Sequence, residues 1–222
     1  MYYRVDESVD EKIIGCPWPQ VRDTIYPINI DDPRFIKFYF FRPLDKETVA
    51  GVPLIKSKAR LTDLLSAHNN GTSFRLTISD RLKRIFEDYH SNKIEFFPIT
   101  IKHKNIFKTG YWLTNILSTD NKECVDYALS EINETFSQPL KNQQVFFNSH
   151  EEFMISVRDQ NTPGNYTLIT KPVIKKGITK DILVLEYVKG GGIIYCVSEK
   201  LKAEIEAAGC TGLVFHPIEQ AV

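Results

Sequence analysis

An internal repeat constrains this chain more than any other feature of its sequence. Residues 79–99 (SDRLKRIFEDYHSNKIEFFPI) and 198–218 (SEKLKAEIEAAGCTGLVFHPI) align without a gap at an offset of 119, with seven identities in 21 positions. Ser79 and Ser198 stand where a helix N-cap belongs, since a serine hydroxyl can satisfy a backbone N–H that the first turn leaves unpaired. Asp80 and Glu199 follow, placing negative charge at the positive end of the helix dipole. Leu82, Ile85, Phe86 and Tyr89 then fall on one helical face, as do Leu201, Ile205 and Ala208. Gly209 suits a left-handed helix terminator, and His90 holds the matching position in the first copy.

Each copy is flanked by strand-like segments, Phe74–Ile78 and Ile193–Val197 before the helix, Ile94–Phe96 and Leu213–Phe215 after it. Pro98 and Pro217 predict that the second strand ends or lies at a sheet edge, because proline offers no N–H to a ladder. The shared Phe-x-Pro-Ile ending is not demanded by helix periodicity, so it argues for duplication rather than coincidence. The expected fold is α+β, with a mixed or antiparallel sheet and two related strand–helix–strand units at about 72–99 and 191–218. One domain over 1–222, or two lobes at 1–105 and 106–222, accommodates this length.

Elsewhere, an opening strand precedes a proline-punctuated loop over 1–33, and the aromatic run Phe35–Phe41 predicts a strand. Leu61, Leu64 and Leu65 suggest a short helix over 58–68 before a turn at Asn69-Asn70-Gly71. Further strands are expected at 111–117, 144–147, 153–157, 166–170 and 182–188, with Gly190-Gly191-Gly192 as a hairpin loop.

Acidic and basic residues balance at 28 each, which argues against a protein that coats nucleic acid by bulk charge. The chain starts without an apolar run, holds no stretch long enough to span a membrane, and scatters its four cysteines. A cytoplasmic protein with reduced thiols is the expectation. No histidine pair has metal-ligand spacing, so neither metal nor cofactor is expected. Cys210 and His216 are near enough in sequence for a nucleophile pair, but the first copy carries Ser91 and Phe97 there. Two basic clusters stand out: Lys102, His103, Lys104, Phe107 and Lys108, interleaved with aromatics, and Lys171, Lys175, Lys176 and Lys180.

The C-terminal pattern Ser198-Glu199-Lys200-Leu201-Lys202, closed by Gly212-Leu213-x-Phe215-x-Pro217-Ile218, resembles a family of immunity proteins from bacterial polymorphic toxin systems. Ile78–Lys83, Phe96–Ile99 and Gly110-Tyr111-Trp112-Leu113-Thr114-Asn115-Ile116-Leu117 extend the resemblance, which covers roughly the last two-thirds of the chain. It implies a cytoplasmic, non-catalytic protein that binds and neutralises a cognate toxin, with no cofactor. An aromatic anchor near acids between the repeats makes Trp112, Asp126 and Glu131 the candidate partner-binding residues. Two other readings stand beside it: an enzyme, hydrolase-like, whose residues converge only in space, and a nucleic-acid-binding module.

Overall fold

The computed structural model describes residues 1–222 except 68–73, 90–92, 138–139, 160–163, 191 and 222. The turn expected at Asn69-Asn70-Gly71, and the helix-terminating position at His90, lie outside the described residues. The chain opens with β1 (Tyr2–Glu7), α1 (Glu11–Ile14), β2 (Val21–Ile25), β3 (Val52–Ile55), β4 (Leu64–Leu65) and β5 (Thr77–Ser79). It continues through α2 (Asp80–Asp88), β6 (Ile94–His103), β7 (Ile106–Ile116), α3 (Asn121–Cys124), β8 (Glu131–Ser137), β9 (Leu140–Val145) and α4 (His150–Asp159). Last come β10 (Tyr166–Lys171), β11 (Val173–Ile174), β12 (Ile182–Val188), β13 (Gly192–Ser198), α5 (Glu199–Ala207) and β14 (Leu213–Gln220). The class is α+β with mixed sheets, as the sequence predicts.

Two compact units form, one from residues 5–118 and 200–215, the other from 1–4, 119–199 and 216–222. The division 1–105 and 106–222 does not coincide with them, because it falls where the Lys104-Asn105 turn of the β6–β7 hairpin meets β7, inside the first unit. A six-stranded sheet runs β2-β3-β6-β7-β5-β4, with β3 parallel to β6 and its other pairings antiparallel. Its core gathers Phe35, Ile36, Leu65, Ile101 and Leu113. The second sheet is eight-stranded, in the order β11-β14-β1-β13-β12-β10-β8-β9, around Cys124, Phe153, Ile169, Leu183 and Cys196.

Both strand–helix–strand units are present, β5-α2-β6 and β13-α5-β14, and in each a third strand lies between the two that the helix joins. That strand is β7 in one and the N-terminal β1 in the other. The likeness reaches beyond the aligned segments. In the first copy, Ser79 N–H donates to Asp63 O (2.8 Å) and its hydroxyl to Asp63 Oδ1 (2.6 Å); Ser198 makes the same two bonds to Asp181, at 2.8 and 2.5 Å. The Tyr111 hydroxyl donates to the carbonyl of Thr62 (3.0 Å), and the Tyr2 hydroxyl to that of Lys180 (2.7 Å), each the residue just before the aspartate. Five strands thus correspond, β3-β6-β7-β5-β4 with β11-β14-β1-β13-β12. Pro53-Leu54-Ile55-Lys56 and Pro172-Val173-Ile174-Lys175 keep the 119-residue offset, and β11 runs parallel to β14 as β3 does to β6. Sixteen residues separate Asp63 from Ser79 and seventeen separate Asp181 from Ser198, so a gapless comparison loses the match there.

The seven identities acquire physical reasons. Leu82 and Leu201 are fully buried, and Ile99 and Ile218 are core residues. Lys83 pairs with Glu87 one turn on and lies 5.4 Å over the Phe96 ring; Lys202 pairs with Glu206 and lies 5.5 Å over Phe215. Pro98 and Pro217 sit within β6 and β14, upstream of where the parallel neighbour joins at Lys102 and Glu219. A missing N–H is harmless on that unpaired side. Gly209 ends the second copy's helix with φ +67°, whereas Ala208 is exposed in the terminating turn rather than on the buried face.

Three local expectations are corrected. Phe35–Phe41 is not a strand: Ile36–Tyr39 forms a 3₁₀ turn, with Phe35, Ile36 and Tyr39 buried at a spacing that a strand buried on one face does not give. Residues 58–63 are not helical, and Leu64–Leu65 is a strand, because Asp63 N–H and Leu64 N–H both donate to Thr211 O. Residues 153–157 belong to α4 rather than to a strand. The signal for that helix was present as Ser149-x-x-Glu152: Ser149 Oγ accepts from Glu152 N–H (3.2 Å), and Glu152 Oε2 accepts from Asn148 N–H (2.8 Å).

Asp63 holds the first unit together. Its side chain, 7% exposed, accepts from Ser79, from Nε and Nη2 of Arg81 (3.0 and 2.6 Å), and from Thr211 N–H (2.8 Å) and hydroxyl (3.3 Å). Burial alone would raise this carboxyl, but the bonds from Arg81, Ser79 and Thr211 outweigh it and hold the pKa below 3.8. A depressed folded pKa contributes stability above the unfolded-chain value of roughly 3.9, lost as pH falls through the folded value. Asp63→Asn should therefore cost about 2–3 kcal/mol at neutral pH in urea unfolding. It should also flatten the acid limb of the stability profile below about pH 4.

Candidate partner-binding surface

Segment 35–44 enters the first unit on buried anchors and leaves an aromatic platform outside. Phe35 and Ile36 are fully buried, while Phe38 and Phe41 are 41% and 43% exposed. Backbone bonds pin the segment at Ile36 N–H to Val49 O (2.8 Å) and Phe41 N–H to Ile116 O (3.0 Å). Beneath it lies a polar support. Arg75 Nη2 donates to Ile36 O (2.8 Å) and Asn115 Oδ1 (3.2 Å), Asn115 Nδ2 to Arg42 O (3.0 Å), and Glu95 Oε2 accepts from Leu44 N–H (3.0 Å).

Phe74, 48% exposed, completes the platform: the Phe40 ring lies 4.4 Å from Phe41 and 5.9 Å from Phe74, centroid to centroid. Phe41 and Phe74 both hold left-handed backbone, with φ +58° and +67°. That conformation costs a residue with a Cβ roughly 1–2 kcal/mol. Cations frame the rings, with Lys37 Nζ 4.8 Å from Phe38 and the Arg42 guanidinium 4.6 Å from Tyr39. The Tyr39 hydroxyl donates to Asp45, which holds that carboxyl below its ordinary pKa. The composition of this run predicts a strand. No local signal separates the buried Phe35, Ile36 and Tyr39 from the exposed Phe38 and Phe41, since all five are apolar or aromatic.

Trp112 lies in β7, half-buried, its indole N–H donating to Asp80 and its ring 4.4 Å below Lys83 Nζ. Gly110 takes φ +85°, and a Cβ there would stand 3.1 Å from Asp80 Oδ2, so glycine suits the close approach of that carboxylate. Asp126 and Glu131 belong to the other unit. Asp126 shapes the turn after α3, accepting from Leu129 N–H (3.2 Å) and, through its carbonyl, from the Ser130 hydroxyl (2.6 Å). Glu131 forms an ion pair with Lys171.

The sequence's nucleophile candidate is poorly suited to chemistry. Burial, reinforced by Asp63, pushes the Cys210 thiol up to about 11, so it is protonated at neutral pH, the reverse of an activated cysteine. His150 opens α4, accepts or donates at 2.8 Å with the Tyr127 hydroxyl, and has its pKa lowered by burial. Among the described residues no helix is long and apolar enough to cross a membrane.

An α+β scaffold bearing an exposed aromatic platform is a class of protein suited to making contacts. Residues 49–220 match the family model described as Immunity protein family (Imm11), and the chain belongs to that family. No curated protein matches it.

Because asparagine tolerates left-handed backbone, Phe41→Asn and Phe74→Asn should leave folding stability within about 1 kcal/mol of the parent. Phe35→Ala, at a fully buried ring, should cost about 3–5 kcal/mol. Chemical denaturation of the three variants checks both expectations.

Proposed function

We propose that this protein neutralises a cognate bacterial protein toxin in the cytoplasm by stoichiometric binding, without catalysis and without a cofactor. Family membership supports the role. The observation that carries the mechanism is the platform of Phe38, Phe41 and Phe74, two of them on left-handed backbone. Exposed aromatics supply large contact area at little entropic cost, because they have only two side-chain torsions, and such residues dominate the energy of protein interfaces. Backbone strain of this kind persists at sites where a particular side-chain direction matters. Occlusion or distortion of the toxin's active surface would follow from the complex. Trp112, Asp126 and Glu131 form a second proposed contact set, Trp112 through its half-exposed ring and the acids through charge.

The test is co-purification with toxin domains encoded beside this chain, followed by titration against toxin activity. A one-to-one complex that abolishes activity is expected; turnover of a small substrate by the protein alone would favour the enzyme reading. Phe41→Asn with Phe74→Asn should weaken toxin affinity at least tenfold, equivalent to about 1.4 kcal/mol. Unchanged affinity in Asp126→Lys/Glu131→Lys would remove those acids from the interface.

A further inference from the structure

Several of the chain's cations are neutralised where they stand. Arg34, Lys37, Arg81, Lys83, Lys122 and Lys171 each pair with an acid. Lys180 meets both Asp120 and Glu123, so much of the second basic cluster seen in the sequence is spoken for. The first cluster differs. Among the described residues, Arg22, Lys102 and Lys104 form no ion pair, and all three line one cavity of about 200 Å³ in the first unit. Ser57 and Asn105 add neutral polar groups, Leu54 and Ile55 make it partly apolar, and none of its lining residues is acidic.

Two backbone irregularities bring these cations together. Arg22 is the extra residue of a β-bulge, since Val21 pairs with Ile55 and Asp23 with Leu54; bulges re-aim side chains. Lys104 and Asn105 form the two-residue turn of the β6–β7 hairpin with φ +51° and +63°. Glycine or asparagine is the ordinary choice for the first of these positions, yet a lysine occupies it. Beside the cavity, Ile106 and Phe107 are each 60% exposed, and Lys102 Nζ lies 5.3 Å over the Phe107 ring.

We propose that this cavity seats a carboxylate of the protein partner, an Asp or Glu side chain on an acidic surface, with Ile106 and Phe107 packing against apolar residues around it. The proposal rests on the partner-binding reading above and names the chemistry of one contact. Three unpaired cations next to apolar side chains attract an anion more strongly than they would in open water. The volume lies below the roughly 300–1,000 Å³ of pockets that enclose a whole small molecule, so it suits a terminal group. Nucleic acid is the weaker fit. Lys102 covers one face of Phe107, the neighbour Ile106 is aliphatic, and the chain has zero net charge.

The experiment is calorimetric titration of the full chain with a decaglutamate peptide and, separately, a single-stranded oligonucleotide of equal charge. Arg22→Gln/Lys102→Gln should weaken peptide binding at least tenfold, while Lys175→Gln/Lys176→Gln leaves it unchanged; circular dichroism melting confirms that both fold. Equal loss in the two double variants, no peptide binding, or tighter oligonucleotide binding through Arg22 and Lys102 would overturn the proposal. Toxin neutralised without peptide binding here removes this inference alone. Peptide bound here by a chain that captures no toxin leaves the cavity standing and removes the proposed function.

Discussion

A buried aspartate beside a helix-capping serine is the constraint around which the first unit is arranged, and its counterpart recurs in the second. Asp63 receives five hydrogen bonds from three residues on two segments distant in sequence: Ser79 and Arg81 at the start of α2, and Thr211 in the turn after α5. The Ser79 hydroxyl accepts from Leu82 N–H while donating to Asp63, so one side chain caps the helix and ties it to β4. A carboxylate so enclosed is stable only with every partner in place, because losing one strands a desolvated charge. Gly212 shows the tightness of the same turn: a Cβ there would fall 2.2 Å from Leu64 O.

The aspartate–serine–tyrosine arrangement also explains how a duplicated unit serves two sheets. In each copy the tyrosine hydroxyl caps the carbonyl before the aspartate, and burial pushes both phenols, Tyr2 and Tyr111, up to about 12. They therefore remain donors throughout the physiological range. Tyr111 arrives by the β6–β7 hairpin and Tyr2 from the start of the chain, so the same position is filled by two routes. What the copies share is scaffold, and what differs is surface. The aromatic platform belongs to residues 35–44 and 74, and the cations of the cavity to Arg22, Lys102 and the β6–β7 turn, none of them within the aligned segments.

Both surfaces carry local cost. Phe41, Phe74 and Lys104 all occupy left-handed backbone, where a Cβ crowds the following carbonyl. Stability alone would favour glycine or asparagine at such positions.

Helix α2, helix α5, the strands after them and the duplication itself were legible in residues 79–99 and 198–218, because capping, periodicity and proline placement are local effects. The α4 capping box was legible too, though the apolar run at 153–157 obscures it. Strand β4 was not, since Leu64 and Leu65 are held in extended form by Thr211 and β5, which only folding brings near. Nor was the platform: the composition of Phe35–Phe41 favours a strand, and simultaneous burial of Phe35, Ile36 and Tyr39 overrides that propensity. Trp112, Asp126 and Glu131 are near in sequence but divided between two units. The sequence by itself determined the repeated scaffold, whose signals act within a few residues of each other. Only the tertiary structure decided which aromatics and cations reach the surface, because ion pairing and burial depend on neighbours that are remote along the chain.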